Sequence, residues 1–227
     1  MSGISRISRG REQSRNFQSN PEDRGKEIWL KDGDQVFATP VATGEDNDAN
    51  LDELYLYTFQ VGKRWTNVLK AEGVDTSGVP EDANISHKFA LWVYVYNIIH
   101  TEKRVDDWEE IEGPSGKKMY REDVNDYRIV SLGFGMRDAT WNQLVDCHND
   151  LNGLNKGVLR FKRTGVGRYD TSYQIIATPK TDVIPEDRQK EIKDLPTIKD
   201  YFMERYGKFN APEGANGNDS SDDDELF

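Results

Sequence analysis

Arg160, Lys162, Arg163 and Arg168 place four cations within nine residues, interleaved with Phe161, Tyr169 and Tyr173. Guanidinium and ammonium groups neutralise phosphates, and aromatic faces stack on bases. Binding of a single nucleic-acid strand needs both. If the segment is a strand, Arg160 and Lys162 share one face, and Phe161 and Arg163 share the other. An amphipathic hairpin with a solvated basic face would look similar. In a chain of net charge −11, however, this concentration of positive charge has only Asp170 to offset it locally, and a ligand-binding role accounts for it better.

Two further groups carry the same chemistry. Lys63-Arg64-Trp65 sets an indole beside two cations just after Gly62. Trp65 can stack on a base there, or begin a helix to Lys70 and plug the core. Trp92, Tyr94 and Tyr96 alternate along a strand whose opposite face carries Phe89, Leu91, Val93, Val95 and Ile99. Such a strand is either a stacking platform on one side or buried on both. Lys103 and Arg104 at its end add cations to the first alternative.

Signals for catalysis are weak. Gly133-Phe134-Gly135 imitates the start of a dinucleotide fingerprint, but Asp138 would set a negative charge where pyrophosphate belongs. A strand-to-helix turn is the better reading. Cys147 and His148 are adjacent, so on a helix they diverge by about 100°. With His87 and His100 they lack the spacing of a zinc site. Asp106-Asp107-Trp108-Glu109-Glu110 reads as a solvated loop. The expectation is a protein that is not an enzyme and has no cofactor and no metal.

The elements that must position these residues are mostly strands. Ile28–Leu30 and Gln35–Thr39 flank Asp32-Gly33-Asp34, a hairpin signal. Strands are expected at Tyr55–Val61, Phe89–Ile99 and Tyr127–Leu132. A helix capped by Asp138 should carry Trp141, Leu144, Val145, His148 and Leu151 on one stripe. Val158–Arg163 and Arg168–Ala177 form a hairpin around Thr164-Gly165-Val166-Gly167. After Pro179 the pattern turns helical: Pro185 suits a first helical position, Pro196 breaks the run, and Thr197–Tyr206 ends at Gly207. The fold class expected is mainly β (α+β), with an internal helix, C-terminal helices and disordered termini.

Charge is distributed unevenly among the 227 residues. Residues 1–27 are rich in Ser, Arg and Gly and read as a disordered basic arm, with a targeting peptide as the alternative. Residues 28–207 form the domain. Residues 208–227 read as an acidic tail ending in Asp222, Asp223, Asp224, Glu225, Leu226 and Phe227. No apolar run approaches the roughly 18 residues of a membrane span. A single cysteine permits no intrachain disulfide, which fits a cytoplasmic location (the host cytoplasm for a viral protein).

An acidic run closed by an apolar residue and a terminal Phe resembles the tip of bacterial single-stranded-DNA-binding proteins and their phage replication counterparts. The layout of basic arm, aromatic β domain and acidic tail is similar to the phage helix-destabilising type. So is the segment Arg160-Phe161-Lys162-Arg163-Thr164-Gly165 with Asp170-Thr171-Ser172-Tyr173. The resemblance implies an OB-like β-barrel and single-stranded DNA as ligand. It also implies a tail that recruits replication or recombination proteins such as a polymerase, helicase or primase, and it allows self-association along DNA. The tip has Glu-Leu-Phe where the bacterial form has a proline before the last Phe. The zinc cluster of some phage relatives has no counterpart. The expected function is sequence-tolerant binding of single-stranded DNA during replication, recombination or repair. A metal-dependent nuclease, or an acidic interaction or virion protein without DNA binding, are the alternatives.

Overall fold

A computed structural model describes residues 25–43, 51–62, 64–166, 170–179 and 182–208. Among them, eight antiparallel strands and three α-helices make the chain mainly β, of α+β character, and the strands do not close into a barrel. The chain divides into two compact units. The first holds residues up to 53 and 88–199, and the second holds 54–87 and the residues from 200 onward.

In the first unit the strands run in the order β5 (Glu109–Glu112), β6 (Lys118–Gly133), β4 (Asn84–His100), β1 (Gln35–Pro40), β7 (Leu159–Thr164) and β8 (Ser172–Ala177). The apolar run expected at Phe89–Ile99 is the centre of the long strand β4, which pairs with β6 from Lys88 to His100 and with β1 from Val93 to Ile99. Inward-facing Val36, Ala38, Phe89, Leu91, Val93, Val95, Leu159, Phe161 and Ile175 form the core, together with Leu144 and Cys147 of helix α1 (Ala139–Leu151).

The free edge of β8 meets α1. The Gln143 side-chain amide accepts the Ile175 N–H at 2.7 Å and donates to the Tyr173 carbonyl at 3.2 Å. A helix side chain thus satisfies backbone groups that a further strand would otherwise pair, which leaves the sheet open.

Several local expectations need correction. Ile28–Leu30 is not a strand: Glu27 forms only an isolated bridge with Ile129. The Asp32-Gly33-Asp34 turn exists, with Asp34 N–H bonded to the Lys31 carbonyl and Gly33 at φ +80°, but it opens no hairpin. Asp138 sits in the left-handed region and makes no side-chain capping bond. The buried stripe of α1 is Thr140, Leu144 and Cys147, rotated from the expected one, and Val145 and His148 face outward. Gly133-Phe134-Gly135 is the strand-to-helix turn, closed by Thr140 N–H on the Phe134 carbonyl. Phe134 and Trp141 pack with Phe89 there.

After β8, residues 182–198 form a strap of helix α2 (Glu186–Gln189), a 3-10 turn (Lys190–Asp194) and Pro196. Pro185 precedes α2 as its N-cap and not as its first helical residue.

In the second unit β2 (Leu51–Val61) and β3 (Arg64–Leu69) form a hairpin. Leu54, Leu56, Phe59, Val68 and Leu69 are buried. Helix α3 (Ile198–Tyr206) contributes fully buried Phe202, edge-on to Tyr201. No helix among the described residues is long and apolar enough to cross a membrane.

Candidate functional site

Strand β7 alternates as expected. Leu159 and Phe161 point into the core, so Arg160 and Lys162 point out. Pairing sets Arg160 beside Phe37 of β1 and Ile176 of β8, and Lys162 beside Gln35 and Gln174. Phe37 is half-buried and Ile176 is exposed. Arg160 makes one long hydrogen bond, to the Gln174 amide oxygen at 3.4 Å. Neither cation forms an ion pair among the described residues. This outer face of β1, β7 and β8 therefore combines two uncompensated cations with an aromatic ring, on a rigid sheet.

The other residues expected on the hairpin have different surroundings. Phe161 is fully buried in the core. Arg163 bonds the Leu30 carbonyl and the Thr171 hydroxyl (3.1 Å), and so clamps the chain before β1 to β7. Tyr173 is half-buried beside Ile28, Leu30 and Phe161, and burial pushes its hydroxyl pKa up. Arg168, Tyr169, Lys63 and the tail residues Asp222, Asp223, Asp224, Glu225, Leu226 and Phe227 lie outside the described residues, as does the Arg64 side chain.

The aromatic ladder of β4 has an occupant. Trp92 and Tyr94 are only 2% and 1% exposed. Trp92 Nε1–H donates to the Pro196 carbonyl at 2.8 Å, Tyr127 O–H to the Arg188 carbonyl at 2.7 Å, and Tyr96 O–H to the Asp182 carbonyl at 2.9 Å. Burial first, and then Glu191, push the Tyr127 hydroxyl up to about 12, so it stays a donor. Arg188 in turn pairs with Asp126 at 3.0 Å and with Glu191 at 2.7 Å.

Burying each large apolar side chain contributes roughly 1.5–3 kcal/mol. Each hydrogen bond adds a net of about 1 kcal/mol. These contacts favour the covered state, and Trp92 and Tyr94 become accessible only when the strap lifts. Strand β4 is thus buried on both faces where Trp92 and Tyr94 lie, and only Tyr96 retains partial exposure.

Compared with protein-family models and with curated proteins, the chain matches none. The geometry of its surfaces therefore carries the functional argument.

The second unit presents aromatics that sequence reasoning did not single out. Tyr55 stacks on His87, with centroids 4.4 Å apart and planes 4° from parallel. Lys70 lies over the ring of Tyr57 at 5.6 Å. Trp65, expected to stack or to plug the core, is 46% exposed in β3, opposite Gln60. Phe37 was legible in principle, since Val36 and Ala38 alternate with it. His87 precedes the apolar run that marked β4 and carried no signal.

A buried ionic cluster was also missed. Asp34, with no exposed surface, accepts from Arg104 Nη2 at 2.7 Å, from the backbone N–H groups of Lys31 and Thr101, and from His100 Nδ1 at 3.3 Å. His100 Nε2 faces Glu122 at 2.8 Å. Ionised carboxylates only accept, so both ring nitrogens donate and the imidazole is charged. Burial pushes the His100 pKa down, but the bonds to Asp34 and Glu122 outweigh it and leave it raised. Burial likewise pushes the Asp34 carboxyl up, and His100, Arg104 and Lys31 hold it below its usual value. Trp108 stacks on His100 at 3.9 Å. Through Asp32, whose carboxylate accepts the Gly165 N–H at 2.8 Å, the same turn fastens the β7–β8 loop. Gly165 has φ +94°, and a Cβ there would run into the Asp170 backbone.

Among the described residues no group of three or more His, Cys, Asp or Glu side chains is placed to hold a metal ion.

Proposed function

We propose that this chain binds single-stranded DNA in a sequence-tolerant way, through the outer face of β1, β7 and β8, in replication, recombination or repair. The observation that carries the reading is the pair Arg160 and Lys162, two cations without carboxylate partners among the described residues, Arg160 directly across from Phe37 and Lys162 next along the same face, in an otherwise acidic protein. Phosphates would pair with the cations and a base would lie on the phenyl ring, the combination single-strand binding uses.

Strand order supports an open OB-like fold. β1 pairs with both β4 and β7, β4 pairs with β6, and α1 comes between β6 and β7. A partly open five-stranded Greek key with a helix after its third strand has this connectivity. In such folds ligands use the face of the second and third strands and the loops between the first and second and between the fourth and fifth. Here the strap covers the first of these, which directs the ligand to the open neighbouring face. The acidic tail with its Leu226-Phe227 tip would recruit a replication or recombination protein through a basic-rimmed apolar pocket.

Fluorescence anisotropy of labelled oligo(dT) tests the reading. Tight binding to the single strand, weaker binding to duplex, and a log–log salt slope of about −0.7 per phosphate neutralised are expected. Equal affinity for duplex, or indifference to salt, would overturn it. Cleavage of the oligomer on addition of Mg²⁺ would indicate a nuclease instead.

A further inference from the structure

We infer that the Tyr55–His87 pair of the second unit is a nucleobase-stacking site, separate from the cationic face of β7. This deepens the single-stranded-DNA reading and rests on it. Tyr55 and His87 are stacked face to face at 4.4 Å, and both are exposed, Tyr55 by 41%. Two nearly parallel rings in solvent leave outer π faces onto which a further planar ring can add, continuing the stack.

Their positions explain the pairing. Along β2, Tyr55 and Tyr57 share a face. Thr58, on the opposite face, bonds Asn67 at 2.9 Å and Ser86 at 3.2 Å. Ser86 therefore lies on the Thr58 side, and its neighbour His87 lies on the Tyr55 side. Lys70 is exposed and sits over Tyr57, next along the same face, with its Nζ 5.6 Å from the ring centroid. The patch thus adds an exposed ammonium group to the face that carries the aromatic stack, so a phosphate can be met near a stacked base. An aliphatic ligand would gain nothing from the parallel rings, and an acidic peptide would use the lysine alone. The ligand is an unpaired base on a phosphodiester strand.

The test uses the full chain, oligo(dT), and an abasic oligomer of the same length and charge. Tyr55→Leu should weaken oligo(dT) binding about fivefold or more, the loss expected for one stacked base. Tyr55→Phe should bind within about twofold of the parent, because it keeps the ring and loses only the hydroxyl. The salt slope should not change in either variant, since no charge is removed. Binding of the abasic oligomer should be the same in all three proteins. His87→Gln, at an exposed position, repeats the measurement should Tyr55→Leu unfold.

A stack that serves only the hairpin would lower the melting temperature in Tyr55→Leu and leave oligo(dT) affinity untouched, which overturns the inference. An equal loss on the abasic oligomer overturns it as well. If the parent protein does not bind oligo(dT), the broader single-strand reading falls first, and the two failures are distinguishable.

Discussion

Replacing Asp34 by Asn keeps the shape of the side chain and inverts half of its chemistry. In the parent, both carboxylate oxygens accept, taking Arg104, His100 and two backbone N–H groups. In Asp34→Asn the amide oxygen can keep the position that accepts Arg104, His100 and the Lys31 N–H, but the NH₂ then faces the Thr101 N–H, donor against donor, and the negative charge opposite Arg104 and His100 is gone. Asp34 has no exposed surface and His100 is itself buried, so water does little to relieve this. Removing one partner of a buried charged pair costs about 3–5 kcal/mol, because the remaining charge stays desolvated. For a folded body of this size each kcal/mol moves the melting temperature by roughly 2–4 °C, so a fall of roughly 6–20 °C is expected.

The pH dependence separates this mechanism from simple misfit. A His whose folded pKa is raised contributes stability that is complete below its unfolded value of about 6.5 and is lost as pH rises through the folded value. An Asp whose folded pKa is lowered contributes above its unfolded value of about 3.9 and loses that contribution as pH falls. The raised His100 and lowered Asp34 therefore place maximal benefit between these two values. Thermal melts followed by circular dichroism should show the widest gap between parent and Asp34→Asn near pH 5. The gap should narrow, without closing, toward pH 9, because Arg104 remains charged. A shift under 2 °C, or a gap independent of pH, would refute the reasoning.

Other expectations concern the ligand. Arg160→Ala with Lys162→Ala should flatten the salt slope for oligo(dT) by about 1.4, at about 0.7 per phosphate contact, while the melting temperature stays unchanged. Trp92→Phe loses the bond to the Pro196 carbonyl and should cost about 1 kcal/mol of stability with no change in DNA affinity. A gain in affinity would mean that the strap competes with DNA. Gly165→Ala should destabilise the β7–β8 loop by about 1–3 kcal/mol through its left-handed backbone and the close Asp170 backbone, seen as faster amide exchange in the hairpin. Deleting Asp219–Phe227 should raise single-strand affinity most at low salt by removing a competing polyanion, and Phe227→Ala should abolish only partner capture in a pull-down.

Most strands and the main helix were legible because their patterns are local, whereas Arg64–Leu69 and Glu109–Glu112 were not read as strands. Alternation along Phe89–Ile99 and Leu159–Arg163 survives in β4 and β7, and a 3.6-residue period marks α1. Residues 118–126 of β6 were not legible. That stretch carries Arg121, Glu122, Asp123 and Asp126 among few apolar residues, and its strand identity comes from pairing with β4 and β5. The strap was invisible for a related reason: its hold on Trp92, Tyr96 and Tyr127 uses its own backbone carbonyls, which no side-chain pattern announces. The cluster of Asp34, His100, Arg104 and Glu122 joins residues scattered over about ninety positions, and only tertiary structure brings them together.

The strap also decides which aromatic residues can meet a ligand. The sequence ranked aromatics by type, and Trp92 and Tyr94 are chemically as able to stack on a base as Tyr55 or Phe37. What separates them is the free energy of uncovering. Trp92 and Tyr94 would have to shed a segment held by apolar burial and three donor–carbonyl bonds. Stacking one base returns only about 1–3 kcal/mol. Tyr55 and Phe37 need no such opening, since one stands exposed and the other lies half-buried beside Arg160. On the proposed reading a single strand would meet the residues that folding leaves uncovered, while the strap makes the Trp92–Tyr94 stretch of β4 structural.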